Sequence, residues 1–377
     1  MLQFSLFLIV LLNLLCVGAN LPVLPEFNKA LGADNTALGV VLLAFGLPRA
    51  LVSPFWGMVS DRVGRKPIMV VGTIGALFGS VLWIITDHWW MLLLSRLVDG
   101  LLSAQAVIAA SIITDALPRE KRTVAFGLMG AAVSLGLSFG PLWGGLLCEW
   151  KGPEALGYVF LLLQGISLMV VLFLMPETLP RENRSKAPFS WASQTEALRL
   201  PGASTLYKLS FFASLVVGTL TLALPHQSGL KLGWEASDFA WAFATVGLLG
   251  AICQGGLLRV CLRYASEGVL VGWGLALITL AQFIPGVYFS QTTLICWLIL
   301  TTIGGSLMLP CVKGLLSQVP TEQAGSVMGI NQSVQNLGRS MGPALATAGI
   351  ALGYNGEFLL PGFVAIGLCV WYFLRRS

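Results

Sequence analysis

The sequence predicts an all-α membrane protein, with twelve transmembrane helices in two pseudo-symmetric six-helix bundles. Three observations lead there. The 377 residues are 56% hydrophobic, with a mean hydropathy of +0.82. Apolar runs long enough to cross a hydrocarbon layer of ~30 Å recur from one end to the other. The longest polar break, PETLPRENRSKAPFSWASQTEALRLPGAST at 176–205, divides those runs six and six. Only helices or closed barrels satisfy their backbone groups in lipid, and these runs are too long and continuous for barrel strands.

Charged or Pro/Gly-rich breaks place the spans near 2–20, 37–58, 68–86, 89–113, 123–147, 155–175, 206–226, 236–258, 268–287, 291–312, 323–351 and 357–374. The first run has no basic segment before it, and the rest of the chain repeats its pattern. It therefore reads as a membrane helix, with a cleaved leader ending near VGAN (17–20) as the alternative. Pro22 and Pro25 are expected to end it. The expected organisation is an N-terminal bundle at 1–175, a linker at 176–205 and a C-terminal bundle at 206–377.

Lys and Arg set the orientation. Sixteen fall in the loops after even-numbered spans, in the linker or at the C-terminus, among them Lys186, Arg199, Lys313, Arg375 and Arg376. Only Lys29, Lys151 and Lys231 fall on the other side. That bias places the linker and both termini in the cytoplasm, in a plasma or bacterial inner membrane. Arg49, Arg96 and Arg339 remain inside spans, where a charge is costly and should face water, a counter-charge or the bundle interior.

Several chemistries find no support. Seven dispersed Cys and two His make no metal-binding or disulfide pattern. No G-x-x-x-x-G-K-[ST] loop is present, and the Gly-rich segments lie inside apolar runs. The expected partners are the bilayer and a small-molecule substrate, with no cofactor, metal, nucleotide or nucleic acid, and the chain is expected to be monomeric.

The stretch GMVSDRVGRKP at 57–67 concentrates charge between two apolar runs. Gly57 suits a close helix approach and Gly64 a tight turn, while Asp61 lies within reach of Arg62, Arg65 or Lys66. A solvated, positive-side turn is the bland alternative. The stretch resembles the signature loop between helices 2 and 3 of the major facilitator superfamily, G-x-x-x-D-R-x-G-R-[KR], and matches it at every position. The resemblance implies the major facilitator fold, alternating access and a conformational latch built on Asp61, Arg62, Arg65 and Lys66.

Span 4 contains LLLSRLVDGLLSA, in which Arg96 and Asp99 are three apart on one helix and able to pair. Proton-coupled efflux members of the superfamily carry R-x-x-x-G here, so Arg96 and Gly100 imply a role in proton coupling. Asp99 stands where an uncharged residue is more usual, and is itself a candidate titrating group. Arg49, next to Pro48 in span 2, is expected to complete a buried Arg49–Asp99–Arg96 cluster, with a purely structural ion-pair network as the alternative. Pro48 is expected to disturb its helix locally.

In span 5, GLMGAAVSLGLSFGPLWGG offers small residues for close helix crossing, and Pro141 is expected to interrupt the run. The narrower pattern Gly136-x-x-x-Gly140-Pro141-x-x-Gly144-Gly145 resembles the antiporter signature of the superfamily, which implies export. The loop before it, DALPREKRTVAFG, resembles the family loop between helices 4 and 5. Span 11 looks like the symmetry mate of span 5. It carries the amides Asn331, Gln332, Gln335 and Asn336 and then Arg339, which together with Asn13 and Asn20 of span 1 are candidates for the substrate path. The second-half counterpart of the latch, GGLLRVCLRYASEG, lacks its Asp.

The expected function is therefore a proton-coupled antiporter exporting a small organic or amphiphilic compound. A facilitator or importer of a metabolite is the first alternative, and a non-transporting membrane receptor the second.

Overall fold

The computed structural model describes residues 1–185, 197–198, 200, 202–234, 236–320 and 323–374. Lys186, Arg199, Arg375 and Arg376, and much of the linker, lie outside the described residues. Span 1 is α1 (Leu2–Ala30), followed by α2 (Asn35–Val63) and α3 (Arg65–Ile84). Span 4 is broken into α4 (Trp89–Leu101) and α5 (Gln105–Ala116); α6 (Arg119–Lys151) and α7 (Glu154–Met169) complete the first six. After the linker, span 7 is α8 (Ala203–Gly218) with α9 (Leu220–Leu232). Span 8 is α10 (Ala236–Ile252), a π turn at Cys253–Leu257 and α11 (Leu258–Tyr264). Last come α12 (Glu267–Val287), α13 (Gln291–Leu316), α14 (Ala324–Ala351) and α15 (Gly356–Leu374).

Eleven of the twelve spans are long and apolar enough to cross a bilayer on their own. The twelfth, α14, is diluted by its amides and Arg339, yet runs for 28 residues. Such a helix is tolerated in lipid only when its polar face is turned away from hydrocarbon.

Prolines do less than the sequence leads one to expect. Pro22 and Pro25 lie inside α1, which continues to Ala30; Pro48 lies inside an unbroken α2, and Pro141 inside an unbroken α6. Each removes one backbone donor; at Pro48 and Pro141, inside spans, the surrounding helices shelter the freed carbonyl and no water competes to unwind the turn, whereas Pro22 and Pro25 are exposed beyond Asn20 and the helix continues past them. Pro48 releases the carbonyl of Ala44, and Gly100 packs directly on the Ala44 and Phe45 carbonyls, where a Cβ would sit only 2.7 Å from the latter. The break actually falls elsewhere, between Leu101 and Gln105, where Trp56 Nε1 donates to the exposed Leu101 carbonyl at 2.7 Å. The 57–67 stretch is also less of a turn than expected. Helix α2 runs to Val63, and Gly64 alone makes the corner at φ 113°.

The described chain divides into two compact units. The first comprises Met1–Pro118, Ala132–Leu198 and Pro320–Ser333; the second comprises Arg119–Ala131, Arg199–Val319 and Val334–Ser377. Each unit therefore includes the opening turns of a helix from the other half of the sequence. In the first unit, Trp83, Phe27 and Phe160 centre a core with Leu92 and Leu156, and Trp83 donates to the Pro153 carbonyl at 2.9 Å. The second has its own core around Trp297, Phe358 and Leu224.

Pseudo-symmetry shows in the packing. In the first unit α6 lies against α1 with Gly140 on Gly18, and a Cβ at Gly140 would come within 2.7 Å of the Gly18 Cα. In the second, α14 lies against α8, where Gly342 meets Gly218 and Gly338 meets the Phe211 carbonyl. Gly136 and Gly144 make equally close approaches to Leu14 and Ala19. Gly145 does not belong to this set: nothing lies within 4 Å of the Cβ it lacks, because it faces away from α1.

Candidate functional site

Asp61 lies in the last turn of α2, just over one turn after Gly57. A side chain at Gly57 would collide with the Gly325 carbonyl, so glycine at both positions lets the start of α14 lie directly on the end of α2. This contact is internal to the first unit. Asp61 then sits opposite the first turn of α14, whose N–H groups have no acceptor within the helix. It accepts from the Gly325 and Ser326 amides, both at 2.9 Å, and from Ser326 Oγ at 3.2 Å. A carboxylate is doubly suited there, by hydrogen bonding and by the positive end of the helix dipole.

Of the three basic candidates, Arg65 is the partner of Asp61, at 2.8 Å. Its Nε also pairs with Asp115 at 2.7 Å, and its Nη1 donates to Ser60 at 2.6 Å. Both Asp61 and Arg65 are buried. Lys66 is turned away and donates to the Leu172 carbonyl at 2.8 Å, and Arg62 is half-buried. Glu177 was not singled out in the sequence. Its carboxylate takes the exposed N–H groups at the start of α3, Arg65 N at 2.9 Å and Lys66 N at 3.3 Å, and stands 3.8 Å from Arg184. The linker thereby caps α3 just beyond the Gly64 corner.

Deeper in the same unit, Arg96 Nη2 pairs with Asp99 at 3.0 Å. The Arg96 guanidinium lies over the rings of Trp83 and Phe45, at 5.2 and 5.8 Å from their centroids. The Arg49 guanidinium also lies over the Phe45 ring, at 5.3 Å, and acts electrostatically on Asp99. Arg96, Asp99 and Phe45 border a cavity of about 20 Å³, with Asn13, Asn20, Gln105 and Gln164 in its wall. That is room for about one water molecule, far less than a drug-sized compound needs. Arg96 Nε and one oxygen each of Asn20, Gln105 and Gln164 are buried there without a protein partner. Such a pocket can hold one ordered water against these groups.

The second unit carries the remaining candidates. Gln335 is 2% exposed, with its Nε2 unpartnered, Asn336 is half-buried and Arg339 is exposed. Asn331 and Gln332 belong to the earlier part of α14, in the first unit; Asn331 is buried and Gln332 half-buried. The candidates of α14 are thus not gathered into a single unit. In place of the missing second-half Asp, Glu267 at the start of α12 accepts from Thr123 Oγ1 and from Gln318 Nε2 at 2.8 Å. Arg122 donates to the Ser317 carbonyl at 2.5 Å beside it. Glu357, 1% exposed and 3.6 Å from His226, also escaped notice, because it opens an otherwise apolar helix. Lys313, counted with a loop, is in the last turn of α13.

Twelve spans in two bundles, a carboxylate-capped helix start and an intramembrane ion pair are the marks of a membrane carrier. The family model described as Major Facilitator Superfamily matches residues 6–343 and 209–377, and the chain belongs to that superfamily. Among relatives, it is 26% identical to the class B tetracycline resistance protein of Escherichia coli, over 89% of this chain and 85% of that protein. It is likewise 26% identical to the quinolone resistance protein NorA of Staphylococcus aureus strain MSSA476, over 97% and 92%. The solved structure of the human organic anion transporter MFSD10 superposes with a TM-score of 0.83 at 23% identity, covering 97% of this chain and 98% of the other, which shows the shared fold.

Proposed function

We propose that this protein is a proton-coupled antiporter that exports a small organic, amphiphilic compound by alternating access. It would work as a monomer in a plasma or bacterial inner membrane, with the linker and both termini in the cytoplasm. Its moving parts are the bundles 1–175 and 206–377, joined by the linker 176–205. The observation that carries the reading is the Arg96–Asp99 pair on a polar cavity the size of one water. Protonation of Asp99 removes half of that pair and frees Arg96, so the two protonation states favour different arrangements of α4 against α2 and α3. Asp61 ties the start of α14 to the end of α2, and release of that tie accompanies the change of access. The names of the relatives, resistance proteins for tetracycline and quinolone, support export of a drug-like compound.

The test is accumulation of tetracycline-like and fluorescent organic compounds in inverted membrane vesicles, with and without an imposed proton gradient. Accumulation that collapses with the gradient, and an Asp99→Asn protein that only equilibrates its substrate, are the expected results. Gradient-independent equilibration by the wild-type chain would instead mark a facilitator. Unchanged coupling in Asp99→Asn would remove Asp99 from the mechanism.

A further inference from the structure

The second unit holds two cations that the coupling scheme does not use. Arg339 lies at the middle of α14, fifteen residues and about 22 Å from its start. Lys313 projects from the last turn of α13 and is close enough to Arg339 for the two charges to repel each other. A cation inside a span is normally met by an acid or by backbone carbonyls. Among the described residues neither Lys313 nor Arg339 makes a salt bridge or a side-chain hydrogen bond; the half-buried Glu267 is engaged with Thr123 and Gln318, and the buried Glu357 stands beside His226.

A third donor joins them. Gln335 is one helical turn before Arg339 on the same face of α14. It is buried, and its amide Nε2 has no acceptor. Leaving a buried donor unpaired is unfavourable, and placing two like charges together adds to the cost. One ligand chemistry relieves all three: a negatively charged group with several acceptor oxygens. Arg339 is exposed and Lys313 half-buried, so a solute can reach them. Gly218 and Gly338 hold this part of α14 tightly against α8, which fixes the donors on a rigid element.

We propose that Lys313, Gln335 and Arg339 form an anion-binding subsite, and that the transported compound carries a carboxylate or comparable anionic group. This rests on the carrier reading above and names its substrate class. Asp99 and Arg96 contribute nothing to it; they belong to the other unit.

The test is equilibrium binding to the purified full chain in detergent, with two dyes of one ring system and opposite charge: fluorescein, an anion, and rhodamine 6G, a cation. Fluorescence anisotropy should show fluorescein bound more tightly than rhodamine 6G, and weakened as sodium chloride rises from 50 to 500 mM. Arg339→Gln and Lys313→Gln should each lower fluorescein affinity on the order of tenfold or more, with Arg339→Lys losing less and rhodamine 6G unaffected. The salt series needs no variant, so it stands even where a substitution disturbs folding. Absent fluorescein binding, a preference for rhodamine 6G, or unchanged fluorescein affinity in both Gln variants would overturn the proposal. Binding is read without flux or gradient. Proton-driven export of rhodamine 6G by a chain that binds no fluorescein would therefore sink the anion subsite while leaving the exporter intact. Fluorescein binding lost in the variants, without gradient-driven transport in vesicles, would do the reverse.

Discussion

Replacing Asp61 by Asn keeps the shape of the side chain and removes its charge. In the native arrangement one carboxylate oxygen receives Gly325 N and Arg65, and the other receives Ser326 N and Ser326 Oγ. An amide has a single acceptor oxygen, so one of the two backbone donors then faces an NH₂ group. An unsatisfied buried donor costs about 1–3 kcal/mol. Loss of the negative charge at a helix N-terminus adds about 0.5–1 kcal/mol. Arg65 keeps Asp115 at 2.7 Å and is not orphaned. The sum is about 3 kcal/mol, a factor of roughly 10² in the equilibrium between docked and released α14. The Gly325 and Ser326 amides have no acceptor within their helix, so their protection against hydrogen exchange reports Asp61 directly. Exchange of a peptide covering 323–333 should accelerate about 10²-fold in Asp61→Asn at unchanged exchange of α3. Equal protection in the two proteins would refute the assignment of Asp61 as the group that holds this helix.

Two further outcomes follow from the packing. Gly140→Ala places a methyl group against Gly18 and should destabilise the detergent-solubilised protein by about 1–3 kcal/mol, while Gly145→Ala, in open space, leaves its melting midpoint within error. Glu177→Gln should weaken the cap on α3 by about 1 kcal/mol, read as faster exchange at Arg65 and Lys66 and faster proteolysis of the linker; an unchanged linker cleavage rate would count against the cap.

The fold was legible because membrane length and hydrophobicity leave few alternatives, and all twelve spans predicted from apolar runs correspond to helices. Detail was lost where tertiary contacts override local rules. Prolines 22, 25, 48 and 141 read as helix breakers, but all four lie inside continuous helices. The true break at 102–104 has no proline or glycine to announce it. The Asp61–Arg65 pair was visible as an i, i+4 spacing, whereas the α14 amides that complete it lie 264 residues away and left no mark in a single sequence. Glu177, Lys313 and Glu357 looked like loop or boundary charges, and their meaning comes from what faces them.

That same separation has a consequence for biogenesis. Asp61 leaves the ribosome long before Gly325, and at ordinary synthesis rates the interval is on the order of 15–50 s. Arg65 follows it by four residues and Asp115 by another fifty, so the nascent carboxylate has a companion within one helical turn and the arginine acquires its second acid soon afterwards. The early translation product thus has partners of opposite charge for these residues close by, while the last donors wait for the eleventh span. A chain stopped at the linker would carry that waiting state indefinitely, which makes it a natural target for quality-control proteases.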